Sequence, residues 1–104
     1  MLQAMAYVRV GQFKARPDLV DELRATYERD AIPKIRAAPG NVSAVLLHQH
    51  QATDEFLAIT IWRTRADAEA YDASGQAAAM AATIRHAFAA PPVLTTYDAY
   101  GIPE

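Results

Sequence analysis

Two histidines on one predicted strand are the side chains in this sequence best suited to acid–base or metal chemistry. His48 and His50 alternate along the chain, so on a strand both side chains point to the same side. A pair at this spacing can bind a metal, but no third ligand is evident, because His86 lies on a predicted helix. We therefore expect no metal site. His48 alone is the better candidate, since an imidazole gains and loses a proton near neutral pH.

Aromatic and basic side chains are the candidates for contacts with a ligand. Trp62, the single tryptophan, and Tyr27 and Tyr97 either line a cavity or fill the interior, because aromatic rings bury large areas wherever they lie. Arg9 and Arg85 are possible contacts for an anion, although we expect each to pair with acids instead. The sequence has no glycine-rich phosphate loop and no locally supported Ser/His/Asp order, which disfavours nucleotide binding and serine hydrolysis.

Composition excludes several further classes of function. The net charge is −2, with 10 Lys and Arg interleaved among 12 acids, so we expect no nucleic-acid partner. The chain has no cysteine, which excludes disulfides and thiolate chemistry. No stretch approaches the about 20 apolar residues that span a bilayer, and residues 1–10 do not read as a secretory leader. We expect a cytoplasmic protein without a membrane partner.

The elements that must position these side chains follow the order β-α-β-β-α-β within 104 residues, the length of one domain. The predicted strands are Met5–Lys14, Val42–Gln51, Phe56–Arg63 and Val93–Tyr100. A helical region from Pro17 carries an apolar stripe at spacing four, and Pro33 interrupts it, so we expect a kink or a second short turn around Ile32–Ile35. Thr64 and Asp67 resemble a capping box before a short helix, and residues 76–88 form the last helix. The pattern predicts an α+β, ferredoxin-like fold with an antiparallel sheet covered by helices on one face.

Both faces of the predicted sheet are apolar, which a sheet with one solvated face does not show. In the third strand, Leu57, Ile59 and Ile61 face one way, whereas Phe56, Ala58 and Trp62 face the other. The helices can cover only one of these faces, and soluble monomers rarely expose a large apolar patch. We therefore expect a homodimer in which two copies pack sheet against sheet.

Several motifs resemble the antibiotic-biosynthesis-monooxygenase-type domains of the dimeric α+β barrel superfamily. They are Arg16-Pro17-Asp18 at the first helix, Pro39-Gly40 before the second strand, and Ile61-Trp62-Arg63-Thr64 running into Asp67-Ala68-Glu69-Ala70-Tyr71. The resemblance covers nearly the whole chain and implies one domain over residues 1–104. This superfamily includes cofactor-independent monooxygenases that oxidise polycyclic phenols to quinones, haem-degrading enzymes, small isomerases and domains without established activity. The shared fold therefore does not by itself predict the chemistry.

The resemblance also implies roles for individual residues. Quinone-forming members carry a functionally important Trp at the position of Trp62 and a His near the pocket, for which His48 is the nearest match. They also carry an Asn where this chain has Ala58. Haem degraders have an Asn, a catalytic Trp and an axial His where this chain has Val8, Tyr71 and Ala81. These substitutions predict that the chain does not degrade haem.

Three functions remain open on the sequence. The first is a cofactor-independent monooxygenase for a small phenolic or quinol-like compound, with His48 or a tyrosine as the base and Trp62, Tyr71, Tyr97 and His50 around the ring. The loss of His48 as a general base would then lower turnover roughly 10²-fold or more. The second is a ligand-binding or stress-associated domain without catalysis, and the third is a small isomerase. A pocket that encloses a His and a Tyr around one ligand atom would favour the enzymes.

Overall fold

The computed structural model describes residues 5–102 and has one four-stranded antiparallel sheet in the order β2-β3-β1-β4. The strands are β1 (Ala6–Lys14), β2 (Asn41–His48), β3 (Glu55–Trp62) and β4 (Val93–Ala99). This arrangement confirms the α+β, ferredoxin-like fold that the order of elements predicted. The expectation about a leader rests partly on residues 1–4, which lie outside the described residues. No helix among the described residues is long and apolar enough to cross a membrane.

The helical region after β1 is interrupted by a π-helical turn, and the second short turn expected around Ile32–Ile35 is a separate short helix. A 3₁₀ turn at Pro17–Leu19 leads into α1 (Val20–Thr26), which passes through a π-helical turn at Tyr27–Ala31 into α2 (Ile32–Arg36). Pro33 has no N–H to donate to a carbonyl in the preceding turn, and its ring crowds that turn. The backbone adapts on the N-terminal side, where the Ile32 N–H donates to the Tyr27 carbonyl five residues back. The disturbance therefore lies before Ile32–Ile35.

Two helices follow β3. The helix α3 (Arg65–Ala73) begins at Thr64, whose hydroxyl accepts a hydrogen bond from the Asp67 N–H at 3.1 Å, as the predicted cap requires. The helix α4 (Gln76–Ile84) starts after Gly75 and ends earlier than the predicted Phe88, because a 3₁₀ turn at residues 85–87 replaces its last turn.

The turn at Gly40 holds α3 against the sheet. Gly40 has a φ of 81°, and a Cβ atom there would overlap the Asp67 carboxyl group at the start of α3. Its carbonyl accepts a hydrogen bond from the Arg63 N–H at 2.8 Å, just beyond the end of β3. Only a glycine fits a turn this close to the helix, so this position sets how α3 lies beside Trp62 at the end of β3.

The sheet has one face covered by helices, which we call the closed face, and one face without a covering layer, the open face. Buried side chains of the closed face include Phe13, Ala44, Phe56 and Trp62, and these pack against the helices. The predicted division of the third strand between two faces is confirmed. The open face carries Val8, Val10, Val45, Leu47, Leu57, Ile59, Ile61, Val93 and Tyr97.

The first residues of β2 depart from the predicted alternation. The pairing with β3 shifts between Asn41 and Ser43, which leaves Val42 unpaired and exposed. Regular alternation along the predicted strand would place Val42 on one face with Ala44, but a bulge inserts one extra residue and so breaks the two-residue period there. The register is regular from Ser43 to His48.

Candidate ligand-binding site

A cavity of about 370 Å³ lies between the closed face of the sheet and the helices. The strands β1 and β3 contribute its floor, and the helices contribute its walls. Its lining is mainly apolar, with a small number of polar groups, which is the usual composition of a small-molecule site. The lining residues are Arg9, Gly11, Phe13, Tyr27, Ala31, Ile35, Ala58, Thr60, Trp62, Tyr71, Asp72, Ala77, Met80, Ala81, Ile84, Phe88, Pro92 and Leu94.

The space exists because small residues meet on both sides of it. Gly11 of β1 pairs with Ala58 of β3, and both lie in the floor. On the opposite side, α4 presents Ala77 and Ala81. The next pair on the same face of these strands is Phe13 with Phe56, whose stacked rings, 5.6 Å apart between centroids, fill the equivalent volume. The position of the cavity thus follows from side-chain size along two paired strands.

Trp62 and Tyr71 form an aromatic wall at one side of the cavity. Their ring centroids are 5.3 Å apart with the planes tilted by 34°, a favourable arrangement for two aromatic rings. The Trp62 indole N–H donates a hydrogen bond of 2.9 Å to the Thr60 hydroxyl, which fixes the rotation of the indole. Trp62 is only 1% exposed and belongs to the core, whereas Tyr71 is half-buried. Trp62 is therefore a core residue that borders the cavity, and its contact with a ligand stays a prediction.

Arg9 and Asp72 supply opposite charges to the lining. Arg9 lies in the middle of β1, opposite Thr60, and its Nη2 atom contacts the Asp72 carboxylate of α3 at 2.5 Å. The pairing of Arg9 with an acid that the sequence predicted is therefore observed. The carboxylate contact raises the pKa of Arg9 more than burial lowers it, so the guanidinium remains charged.

The two tyrosines of the lining are phenols, not phenolates, at neutral pH. Burial, with a smaller contribution from Tyr71, raises the pKa of Tyr27 to about 12. Burial also raises the pKa of Tyr71, and the nearby charge of Asp72 acts in the same direction. A phenol with a raised pKa donates hydrogen bonds but does not accept a proton from a substrate near pH 7. A tyrosine base, one of the options left open by the sequence, is therefore disfavoured.

The structure does not bring His48 into this cavity. His48 lies at the end of β2, and its partner on β3 is Phe56, six positions from Trp62, or about 20 Å along a strand. Its ring stacks on Phe56 with centroids 4.3 Å apart, and its Nε2–H donates to the Thr53 carbonyl at 2.6 Å. The ring of Phe56 separates His48 from the cavity, so the expectation that His48 and Trp62 share one pocket is not supported within the described chain.

The other two predicted ligand contacts also lie elsewhere. Tyr97 belongs to the open face and is 53% exposed, because it occupies a β4 position opposite Val8. The strand β2 ends at His48, so His50 does not alternate with it on a strand as predicted, and it is exposed in the following loop. Among residues 5–102, no group of three or more His, Cys, Asp or Glu side chains could hold a metal ion.

The positions matched through the resemblance divide between the two faces of the sheet. Ala58 and Ala81 both line the cavity, so the chain presents methyl groups at the places that are Asn in quinone-forming members and His in haem degraders. Val8, which was matched to the Asn of haem degraders, lies on the open face and does not reach the cavity. The β1 residues that do line the cavity are Arg9, Gly11 and Phe13.

Sequence reasoning missed Asp72, Gly11 and the alanines of α4 as residues of the site. Gly11 lies in the interior of a predicted strand, and this is a signal that a backbone position faces a ligand or another chain segment. Asp72 directly follows Tyr71 on α3. Its contact with Arg9 spans 63 residues, and spacing along the chain does not reveal such a pair.

A family model described as "Antibiotic biosynthesis monooxygenase" matches residues 6–83 of the chain, from β1 into α4. The match includes β1, β3 and α3, which carry the aromatic wall, Arg9 and Asp72. No curated protein matches the chain at a significant level.

Solved structures with the same fold come from several organisms. A protein of Nitrosomonas europaea, named as a candidate antibiotic biosynthesis monooxygenase, has a TM-score of 0.84 at 19% identity, with 95% of this chain and 94% of that chain covered. Rv0793 from Mycobacterium tuberculosis has a TM-score of 0.78 at 21% identity, covering 95% and 97%. NE2512, a Nitrosomonas europaea protein of unknown function, has a TM-score of 0.80 at 20% identity, covering 97% of each chain. At these identities the likeness establishes the fold alone.

Proposed function

Because the chain belongs to the antibiotic biosynthesis monooxygenase family, we propose that it is a cofactor-independent monooxygenase that oxidises a small phenolic or quinol-like aromatic compound. The observation that carries this proposal is the mainly apolar cavity of about 370 Å³ with Trp62 and Tyr71 along one side. A planar ring in this cavity packs against the aromatic wall and the apolar lining.

The proposed reaction needs only oxygen and an ionisable substrate. A phenol that has lost its proton is an electron-rich anion, and its ring reacts with O₂ to form a quinone. One oxygen atom becomes the new carbonyl, and the other leaves as water with the two hydrogens that the phenol loses. The ring supplies the electrons for both oxygen atoms, so no external reductant is required. The protein contributes orientation, a dry site and stabilisation of charge.

The side chains of the cavity divide these tasks. Trp62 and Tyr71 orient the ring, and the protonated phenols of Tyr27 and Tyr71 are available as hydrogen-bond donors. Among the lining residues within the described chain, Asp72 is the one carboxylate, and it is the acceptor available for the phenolic proton, directly or through water. Its side chain is 41% exposed, which gives the proton a path to solvent.

The experiment that tests this function is oxygen consumption with a panel of planar phenols, compared between the parent protein and Gly11→Val. A Cβ atom at Gly11 meets only Ala58, at 3.9 Å, so a β-branched side chain fits the strand but fills the floor of the cavity. We expect the parent to consume oxygen and to incorporate one oxygen-18 atom from labelled O₂ into the quinone, and Gly11→Val to lose this activity.

Gln12→Val is the matched control, because it introduces the same side chain on the same strand but on the open face. It should keep the parental rate. The proposal fails if no phenol is oxidised faster than without protein, or if Gly11→Val and Gln12→Val are equally active. Binding of phenols in the cavity without oxygen consumption would favour the non-catalytic ligand-binding function instead.

We further propose that the protein is a homodimer formed through the open face. This face presents apolar side chains from all four strands, and Val45, Leu47, Val93 and Tyr97 are 36–59% exposed in a single chain. A second copy is the simplest cover, because a two-fold axis brings the same apolar surface onto itself. A cytoplasmic location stays a prediction.

Light scattering coupled to gel filtration tests the dimer. The chain mass is 11.4 kDa, and we expect about twice that value at micromolar concentration. Ile59→Asp, in the middle of the open face, should give a monomer or an unfolded chain, because an unpaired charge buried in an interface costs several kcal/mol. A parent protein that elutes as a monomer would rule out this assembly.

A further inference from the structure

Arg9 occupies a position that an ion pair alone does not explain. Its backbone lies in β1, between β3 and β4, opposite Thr60 and Thr96, so the sheet holds it on both sides. Its side chain is 19% exposed and reaches into the lining of an otherwise mainly apolar cavity. A charged group is costly to keep there unless its donors find partners.

One donor of Arg9 is buried without a partner among the described residues. The Nη2 atom contacts Asp72, but the Nε atom is shielded from solvent and forms no hydrogen bond with any of residues 5–102. The guanidinium presents five N–H groups in a rigid planar fork, and buried donors of this kind are normally satisfied. The buried Nε–H is itself out of reach of a ligand, but Arg9 lines the cavity, so the outer N–H groups of the same guanidinium are the donors that an acceptor there meets.

The ion pair with Asp72 contributes too little stability to explain why an arginine lies in the lining of the cavity. The Asp72 side chain is 41% exposed, and ion pairs with a partner this accessible to water contribute little to stability. The same geometry serves a ligand well, because Asp72 on α3 can hold the guanidinium in place while the remaining donors stay available. The negative charge of Glu69 on α3 also acts on Arg9.

The chemistry of the acceptor follows from the cavity. Arg9 is the only cationic side chain among the lining residues within the described part of the chain, and Trp62 and Tyr71 provide an aromatic wall next to it. Guanidinium groups bind anionic oxygens more strongly than neutral ones, and the contact is strengthened where water is excluded. An aromatic ring that carries an ionised oxygen packs against the aromatic wall while its oxygen accepts hydrogen bonds from Arg9.

We propose that the cavity takes its aromatic ligand as an oxyanion, that is, a phenolate, whose oxygen is bound by Arg9, with Asp72 as the residue that positions the guanidinium. This inference rests on the proposed function, which already requires the phenol to ionise, and it adds the residue that binds the anionic oxygen and so selects the ionised form. Phenols that ionise near neutral pH are then preferred over their methyl ethers and over more weakly acidic phenols.

The test uses 4-nitrophenol, whose anion is yellow and whose protonated form is not, at a pH where the free compound is mostly protonated. Binding to the parent protein should increase the yellow absorbance, because the site lowers the pKa of the bound phenol by about one unit or more. Arg9→Gln should abolish this increase and weaken binding of the anion about tenfold to a hundredfold, the range expected for a lost charge-assisted hydrogen bond.

The methyl ether, 4-nitroanisole, is the neutral control, and quenching of Trp62, the single tryptophan, follows its binding. Parent protein and Arg9→Gln should bind it equally, which also shows that the variant keeps a folded cavity. Arg9→Lys should retain part of the absorbance increase, since it keeps the charge without the planar fork. Equal binding of protonated 4-nitrophenol by the parent and Arg9→Gln, or no binding of either compound by the parent, overturns the proposal.

Failure here is distinguishable from failure of the monooxygenase function. If oxygen consumption depends on Gly11 but not on Arg9, the proposed oxidation is supported and the proposed contact between Arg9 and the oxyanion is rejected. An absorbance increase that depends on Arg9 without oxygen consumption supports the oxyanion contact and removes the oxidation.

Discussion

The two ends of β3 on the closed face contrast an open site with a filled interior. At the Trp62 end, small residues on β1, β3 and α4 leave a cavity bordered by Trp62, Tyr71 and Arg9. At the Phe56 end, Phe56 stacks with Phe13 on one side and with His48 on the other, at 5.6 and 4.3 Å between centroids. Phe13 also contacts Phe88, at 5.4 Å, which closes the interior below the helices.

The difference lies in how the polar atoms are used. At the Phe56 end, the Nε2–H of His48 is bonded to the Thr53 carbonyl, a contact that stabilises the loop between β2 and β3. At the Trp62 end, the Arg9 Nε atom has no partner among the described residues, and the outer N–H groups of the same guanidinium border the cavity. A polar group whose partners are internal contributes to folding, whereas a charged group beside a cavity has donors left for a ligand. This distinction, more than residue type, separates the structural histidine from the candidate binding arginine.

The largest effect that tests this contrast is on stability at the filled end. Phe56→Ala removes a side chain that is 1% exposed and packed between two rings, so we expect a loss of about 3–5 kcal/mol in the free energy of unfolding. Urea denaturation measures the change. Gln49→Ala, at an exposed position just beyond β2, is the control and should stay within about 0.5 kcal/mol of the parent. A cost below about 1 kcal/mol at Phe56 would mean that this end is not close-packed.

The next effect appears at alkaline pH and reports how far water is excluded from the cavity. The pKa of Tyr27 is raised to about 12 in the folded chain, against 10.0 for the free side chain. The unfolded chain therefore loses this proton first, and between about pH 10 and 12 stability falls as the pH rises, by up to about 1.4 kcal/mol per unit. Tyr27→Phe should reduce this slope, measured by denaturant unfolding at several pH values.

Tyr100→Phe is the matched control for the alkaline experiment, because Tyr100 is 77% exposed and lies outside the strands. Between about pH 10 and 12, Tyr100→Phe should lose stability with the same slope as the parent, so that only Tyr27→Phe differs. If the two tyrosine variants flatten the slope equally, the cavity is wetter than its apolar lining indicates.

A smaller effect concerns the aromatic wall. Trp62→Phe keeps a ring but loses area and the N–H that donates to the Thr60 hydroxyl at 2.9 Å. We expect it to weaken binding of a planar phenol about tenfold, measured by calorimetry. Thr60→Val removes the hydroxyl but keeps the indole, and separates the hydrogen bond from the ring. Unchanged affinity in Trp62→Phe would leave Trp62 with a purely structural role.

Local sequence patterns predicted the fold well because they report local physics. The order of elements along the chain, the cap at Thr64 and the two apolar faces of β3 all follow from spacing and from residue type along a continuous segment. The interruption near Pro33 was predicted, but its π-helical form was not, because the effect of a proline depends on which neighbouring turn yields. Those features required no knowledge of which residues meet across strands.

The site was harder to predict because it depends on such meetings. The cavity exists where Gly11 faces Ala58, and the register of two strands separated by a helical region is not readable from either strand alone. Trp62 and Tyr71 were both singled out, and they do meet across the wall. Arg9 was assigned to ion pairing, which the contact with Asp72 bears out, but its unsatisfied Nε atom is visible only in three dimensions.

The smallest expected effect is that of His48 on turnover, and it tests the contrast most directly. Since Phe56 separates His48 from the cavity, His48→Ala should change the rate of oxygen consumption by less than about threefold, instead of the roughly 10²-fold loss of a general base. The variant should lose about 1 kcal/mol of stability with the hydrogen bond to Thr53. His50→Ala, an exposed neighbour, controls for removal of an imidazole and should change neither quantity. If His48→Ala alone lowers turnover a hundredfold while the fold stays intact, His48 is the base. The reaction then takes place at the Phe56 end of β3 and not in the cavity beside Trp62.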